Sequence, residues 1–144
     1  MDKLRIVIPG TPVAQGRPRL TTMGGFARAY DPKKSRDWKA IVKEFAIKAM
    51  IDQGFEEPFT GPLRMWVKCI MPLPKSSWRK RTPVQEEWNT KKPDADNLYK
   101  GIADALEGIV YHNDSHISEV HILKRTAEQG KGPKTMIEIS LIDD

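Results

Sequence analysis

Four aspartates, three lysines and two asparagines crowd into one run of the chain, KKPDADNLYKGIADALEGIVYHNDSHI, residues 91–117. Asp94 and Asp96 follow Pro93 with one residue between them. Ahead of a helix's first turn, two carboxylates so spaced can point to one spot, and the free backbone N–H groups there favour negative charge. Asp96, Lys100 and Asp104 are four apart and share a helix face, and Asn97 adds a neutral amide at the same end. Asp114 follows in a turn that can fold back against the helix start. Clustered carboxylate oxygens are what hard divalent cations bind, and Mg²⁺ usually takes one or two, with water and substrate phosphate completing its shell. Asp94, Asp96 and Asp114 can supply such a site. Lys100, one turn on, can offset charge developing on a phosphate. A plainer reading fits the same spacing: an aspartate at a helix start caps it, and an Asp96–Lys100–Asp104 ladder is a solvated row of ion pairs. Spacing alone leaves both open.

Other residue types point elsewhere. His112 and His116 flank Asp114 but straddle a turn, with no cysteine or HExxH pattern beside them, and His121 sits at an odd register from His116. A place near phosphate suits them better than metal ligation. The single cysteine, Cys69, allows no intramolecular disulfide and lies in the apolar run LRMWVKCIM, which suits a buried thiol. Gly10, Gly16, Gly24 and Gly25 form no phosphate loop, which argues against a nucleotide-driven motor.

The net charge is +5, a balance that suits a polyanion without proving one. Its distribution says more. Residues 11–39 hold seven basic residues, among them Arg17, Arg19, Arg28, Lys33 and Lys34, against two acidic ones. Residues 75–92 hold Lys75, Arg79, Lys80, Arg81, Lys91 and Lys92 against two glutamates. Basic flanks around an acidic centre are the arrangement a phosphodiester-cleaving enzyme needs: the flanks hold the backbone through its phosphates and the centre holds a cation. Trp78 and Trp88 stand among these basic residues, where they can stack on exposed bases or fold down onto the domain. Trp38 and Trp66 lie in periodic elements and read as core.

The elements that must position these groups follow from periodicity. KLRIVI (3–8) alternates and reads as a strand. The Pro-, Gly- and Thr-rich stretch after it reads as an extended loop that leaves its arginines on flexible backbone. Asp31-Pro32 opens an amphipathic helix over 32–52, with Asp31 as N-cap and Trp38, Ile41, Val42, Phe45, Ala49 and Met50 inward, ended near Gly54. Residues 63–71 read as a strand, and 72–93 as a long basic loop. A second helix over 94–107 buries Leu98, Ile102, Ala105 and Leu106, with Gly108 as its left-handed terminator. IVYHND reads as a short strand, followed by strands at 116–128 and 134–142 joined through GKG as a hairpin. The order implies an α+β (mixed α/β) fold: a single domain, 1–144, with a mixed sheet packed by two main helices. No apolar run is long enough to span a bilayer, and MDKLRIVIPG lacks a signal peptide's apolar region, so the expectation is a cytoplasmic protein with no membrane partner.

The acidic run resembles the signature of the RusA family of Holliday junction resolvases, commonly carried by phages and prophages. The matching elements are Lys92-Pro93-Asp94-x-Asp96-Asn97-Leu98-x-Lys100, then Asp104-Ala105-Leu106-x-Gly108, then Asp114-Ser115-x-Ile117. Outside it, a short first strand, an Arg-rich loop and Tyr30-Asp31-Pro32 are consistent with the family. The resemblance implies a homodimeric endonuclease, dependent on Mg²⁺ or Mn²⁺, that resolves four-way DNA junctions by paired symmetric nicks. Carried over by position, Asp94, Asp96 and Asp114 are the metal-binding catalytic carboxylates and Lys100 is the supporting lysine. Asn97 and Asp104 match fixed positions with less defined roles. The family often has two adjacent aspartates where this chain has Asn113-Asp114, and the ligand is placed on Asp114. The rival from another class is a non-catalytic, basic DNA-binding protein with a structural acidic turn. A hydrolase of RNA or small molecules is a third, which would show no junction preference.

Overall fold

In the computed structural model, which describes residues 2–17, 19–25 and 28–143, the chain runs β1 (Lys3–Pro9), β2 (Arg19–Thr21), β3 (Arg28–Tyr30), α1 (Lys33–Asp52), β4 (Leu63–Met71), β5 (Glu87–Trp88), α2 (Ala95–Leu106), β6 (Ile117–Thr126) and β7 (Lys134–Leu141). The main sheet has the order β1-β7-β4-β6-β5, and β2 pairs with β3 alone. β4 runs parallel to β6 and antiparallel to β7, so the sheet is mixed and the α+β expectation holds.

Alternation explains which face is covered. Leu4, Ile6 and Ile8 of β1, Met65, Val67 and Cys69 of β4, and Ile137 and Ile139 of β7 point to one side and are buried. Trp38, Val42, Ala46 and Ala49 of α1 and Leu98, Ile102, Ala105 and Leu106 of α2 close over them in one contiguous cluster. Truncating Leu98 or Ile102, each fully buried, would cost roughly 2–5 kcal/mol through lost burial and the cavity left behind. Cys69 lies in this core, and burial pushes its thiol up to about 12, so it is an inert packing group as its apolar run suggested. Trp66 departs from expectation. It points to the uncovered face beside Glu138 and His121 and is only half-buried.

The expected β6–β7 hairpin does not form, because β4 lies between the two strands. β4 is the strand richest in buried side chains, and a central position gives it partners on both edges while enclosing those side chains. The 127–133 connection therefore crosses the end of β4, where the Ala127 N–H donates to Met71 O at 2.8 Å. IVYHND is not a strand either. Gly108, at φ +85°, reverses the chain after α2, and Tyr111 is buried between isolated bridges to Phe59 and Glu107.

α1 ends as its sequence suggested: with Gly54 at φ +80°, the Phe55 N–H reaches Met50 O (2.8 Å) and the Gly54 N–H reaches Ile51 O (3.2 Å), a Schellman closure. Its start differs. Pro32, not Asp31, occupies the N-cap position, without a side-chain cap, because the Asp31 carboxylate is held by Lys39 and Gln15. Just past α1, Gln53 plugs the free edge of β1: its amide accepts from Arg5 N at 3.0 Å and donates to Arg5 O at 2.6 Å. One side chain thereby satisfies a donor and an acceptor that an unpaired edge strand leaves open.

Candidate active site

α2 carries the acidic run at its entrance. Asp94 is the N-cap residue, in extended conformation (φ −70°, ψ 146°), and makes no side-chain cap bond. Its backbone oxygen instead receives the Leu98 N–H at 3.2 Å, which starts the helix and leaves the carboxylate outside it. Asp96 follows in the first turn and is exposed. The segment leading in is held from the sheet: Lys124 of β6 donates through Nζ to Pro93 O at 2.7 Å and also to Lys91 O. Asn89 accepts from Lys91 N at 2.9 Å. Lys124 was not singled out by sequence, since nothing in its strand pattern reveals partners in a distant loop.

The Arg-rich loop is not slack. Its Gln15 N–H donates to Asn97 O at 2.9 Å, and a Cβ at Gly101 would only touch Gln15 N at 3.6 Å, in ordinary contact, so the loop lies directly on α2. Gly16 donates to Ser35 Oγ at 2.7 Å, and a Cβ there would meet Pro32 and Ser35 at 2.8 Å. Arg17 therefore follows a docked segment. The side chains of Arg19 and Arg28 lie outside the described residues.

Asp114 opens a 3-10 turn (Asp114–His116), and its neighbour Asn113 caps that turn by accepting from Ser115 N at 2.9 Å. An aspartate at 113 could do the same, so the departure from two adjacent aspartates falls on a residue whose side chain is engaged by the backbone. The Asp114 N–H donates to Glu107 Oε1 at 3.1 Å, which ties the turn to the end of α2. Burial, with the Asp114 charge added, pushes the Tyr99 hydroxyl above its usual range. Tyr111 beneath is raised further, by burial first and then by Tyr99, Asp114, Glu107 and Asp104, and its hydroxyl donates to Ala103 O at 2.5 Å.

Asp94, Asp96, Asp114 and Lys100 are all exposed and enter no ion pair among the described residues. Asp104 is different. Its Oδ2 meets Lys39 Nζ at 2.7 Å, and the same ammonium meets Asp31 Oδ2 at 2.7 Å, with Gln15 Nε2 on the other Asp31 oxygen at 3.0 Å. Lys39 is buried. Burial alone would lower its pKa, but the hydrogen bonds it donates to Asp104 and Asp31 raise it, while Lys39 holds Asp31 below the ordinary carboxylate value. Asp104 thus fastens α2 to α1 and to the Arg-rich loop. The Asp96–Lys100–Asp104 ladder does not form.

The donor chemistry of Asp94, Asp96 and Asp114 fits a hard cation, and Mg²⁺ needs only one or two carboxylates besides water and phosphate. Among the described residues, no three Asp, Glu, His or Cys side chains converge into one cluster, so these three do not stand as a ready-made cation cage. His112 and His116 are exposed, and His121 pairs with Glu119 at 2.8 Å, away from a metal role.

Some of the basic residues lie close to this helix mouth. Arg17 and Lys34 line a cleft of about 600 Å³ that reaches Pro93, whereas Lys33 is paired with Asp37 at 2.7 Å. Lys75, Arg79, Lys80, Arg81, Lys91 and Lys92 are exposed on the 72–93 loop. That loop holds a 3-10 turn at Lys75–Ser77 and the short strand β5 rather than a helix. Gln129 closes it: Oε1 accepts from Arg79 N (2.9 Å) and Val84 N (3.1 Å), and Nε2 donates to Arg79 O (2.8 Å).

A family model described as Endodeoxyribonuclease RusA matches residues 9–140. The chain is also similar to YqaN of Bacillus subtilis (strain 168), described as an uncharacterized protein, at 34% identity over 145 residues, covering 97% of this chain and 99% of that one.

Proposed function

Since this chain belongs to the RusA family of endodeoxyribonucleases, we propose that it is a Mg²⁺-dependent nuclease that resolves four-way DNA junctions by paired nicks. The observation that carries this reading is a division among the motif carboxylates. Asp104 is tied up by a buried lysine, while Asp94, Asp96 and Asp114 stand exposed and unpaired among the described residues. In this reading those three hold the cation, with Mn²⁺ as the substitute ion. A bound divalent cation polarises a phosphate oxygen and makes water more acidic. Lys100, one turn into α2, places its ammonium toward the phosphate and balances the charge that develops there. Asn97 and Asp104 keep the helix mouth and the Arg-rich loop in register.

Arg17, Lys34 and the loop residues Lys75, Arg79, Lys80, Arg81, Lys91 and Lys92 grip phosphates, with Arg19, Arg28 and Lys33 assigned to the same surface from sequence. Such contacts position without specifying sequence, so binding weakens steeply with salt. Two copies related by a two-fold axis put one site on each of two opposed strands, which matches the symmetry of a four-way junction. The site of action in this reading is the cytoplasm, and the chain acts as one domain, in line with its one contiguous core.

The test is an Asp96→Asn variant measured for both binding and cleavage. It should bind a four-way junction as wild type does and lose metal-dependent nicking. Loss of binding together with nicking would make Asp96 structural, retained nicking would remove it from the chemistry, and wild type that binds the junction without metal-dependent nicking would argue for a DNA-binding protein whose acidic turn is structural.

A further inference from the structure

The 72–92 segment is long and almost free of regular structure, yet it is fixed in place. Gln129 closes the 79–84 stretch, and β5 pairs Glu87 and Trp88 with Thr126 and Arg125 at the end of β6. The Arg125 guanidinium lies over the Trp88 ring, 4.1 Å from its centroid. Glu86 holds that guanidinium by a 2.9 Å bond to Nε and also pairs with Lys68 at 3.2 Å. One face of the indole is therefore braced, while Trp88 as a whole is 64% exposed, so the opposite face is open. A ring presented this way needs little further ordering to bind a flat partner.

The same segment encloses a cleft of about 710 Å³, with Trp88, Arg79, Lys91 and Lys92 in its wall. That volume falls within the size range of sites for small organic groups. The charged lining is Arg79, Lys91 and Lys92 against Glu86 and Glu87, with Glu86 already paired to Arg125 and Lys68, and it reaches Lys92, next in sequence to the Pro93-Asp94 entrance of α2. An aromatic face next to cations suits a nucleotide: the base stacks and the phosphate is neutralised.

We propose that this cleft receives one unstacked nucleotide from the branch point of the DNA, its base against the open face of Trp88 and its phosphates near Arg79, Lys91 and Lys92. The proposal rests on the reading of the protein as acting on branched DNA and adds the feature that tells a branch from a linear duplex. In an intact duplex every base is already stacked and cannot reach the ring without the cost of unstacking. At a branch point that cost is smaller, so Trp88 contributes selectively there.

The experiment compares wild type, Trp88→Ala and Trp88→Phe for binding to a four-way junction and to a linear duplex of the same arms. The junction carries 2-aminopurine at one branch-point position, and thermal melts check that each variant is folded. Loss of one base–aromatic contact corresponds to a five- to 150-fold change by order of magnitude, so Trp88→Ala should weaken junction binding by at least about fivefold. Duplex binding should stay within about twofold, Trp88→Phe should recover most of the loss, and wild type should change the 2-aminopurine emission where Trp88→Ala does not. Equal losses on junction and duplex, or unchanged junction binding by folded Trp88→Ala, would overturn the proposal. Metal-dependent nicking by wild type in the same preparation separates the two claims. Nicking with Trp88-independent binding sinks the stacking site alone, and Trp88-dependent junction binding without nicking sinks the nuclease reading alone.

Discussion

Replacing Asp104 with asparagine separates the chemistry of the site from the scaffold that holds it. Asp104 belongs to the family motif, yet its carboxylate bonds Lys39 Nζ at 2.7 Å. The Lys39 side chain is 11% exposed and the Asp104 side chain 55%. The neutral amide can still accept from the ammonium, and water reaches the half-exposed position, so Asp104→Asn should cost about 1 kcal/mol, below the roughly 1.5–3 kcal/mol of a bond to a charged group that is lost outright. Lys39→Met removes the shared cation and leaves both Asp31 and Asp104 without it. Those carboxylates can partly rehydrate, which places the expected cost at about 2–3 kcal/mol, below that of breaking a fully buried pair. At about 3 °C per kcal/mol for a chain of this size, melting should fall by about 3 °C for Asp104→Asn and by about 6–9 °C for Lys39→Met. The assay is thermal unfolding by circular dichroism, paired with nicking of a four-way junction well below the melting temperature. Asp104→Asn should keep nicking within a few-fold of wild type. Abolished nicking with an unchanged melting temperature would refute the structural assignment of Asp104 and place it in the chemistry.

Three further outcomes follow from the same contacts. Lys124→Met removes both bonds that hold Lys91 O and Pro93 O, so kcat should fall about 10- to 100-fold through displacement of Asp94 while junction binding holds. Lys124→Arg should recover much of the loss, and a change confined to KM would count against the positioning role. Gln53→Ala frees the Arg5 N–H at the β1 edge, and hydrogen exchange at that amide should accelerate markedly; unchanged protection would mean that the edge is covered by something else. In the Lys39 network, Asp31 is held below its ordinary value of 3.8, so its stabilisation is complete above that value and fades as pH drops through the lowered one. Lys39 is raised above 10.5, so its share is intact below that pH and fades as pH climbs past the raised value. Melting temperature should therefore show little dependence on this network between about pH 5 and 9, and Asp31→Asn should flatten the acid limb; an acid limb identical to wild type would contradict the assignment.

Local signals were legible in the sequence and distant pairings were not. Inward apolar spacing placed helices at 32–52 and 94–107, against Lys33–Asp52 and Ala95–Leu106 in the structure, and the apolar run 63–71 coincides with β4. Gly54 and Gly108 ended their helices because only a glycine readily takes φ near +80°. The order of β6 and β7 was missed because adjacency in sequence suggests a hairpin, whereas burial of β4 puts that strand between them. The polar clamps were missed for a related reason. Lys124, Gln53 and Gln129 bond backbone atoms 31, 48 and 50 residues away, and no periodicity marks a side chain whose partner is main chain elsewhere. In the acidic run, motif position identified four aspartates, but only the contact with Lys39 sets Asp104 apart from the other three.

The most direct measurement uses a synthetic four-way junction with end-labelled strands, incubated with the protein in Mg²⁺ or in EDTA, with a linear duplex alongside and every cut mapped. The expected result is a pair of nicks at symmetric positions in two opposed strands, seen only with the cation and absent from the linear duplex. Contradiction would be no metal-dependent cut in the junction, or cuts that fall equally on the duplex.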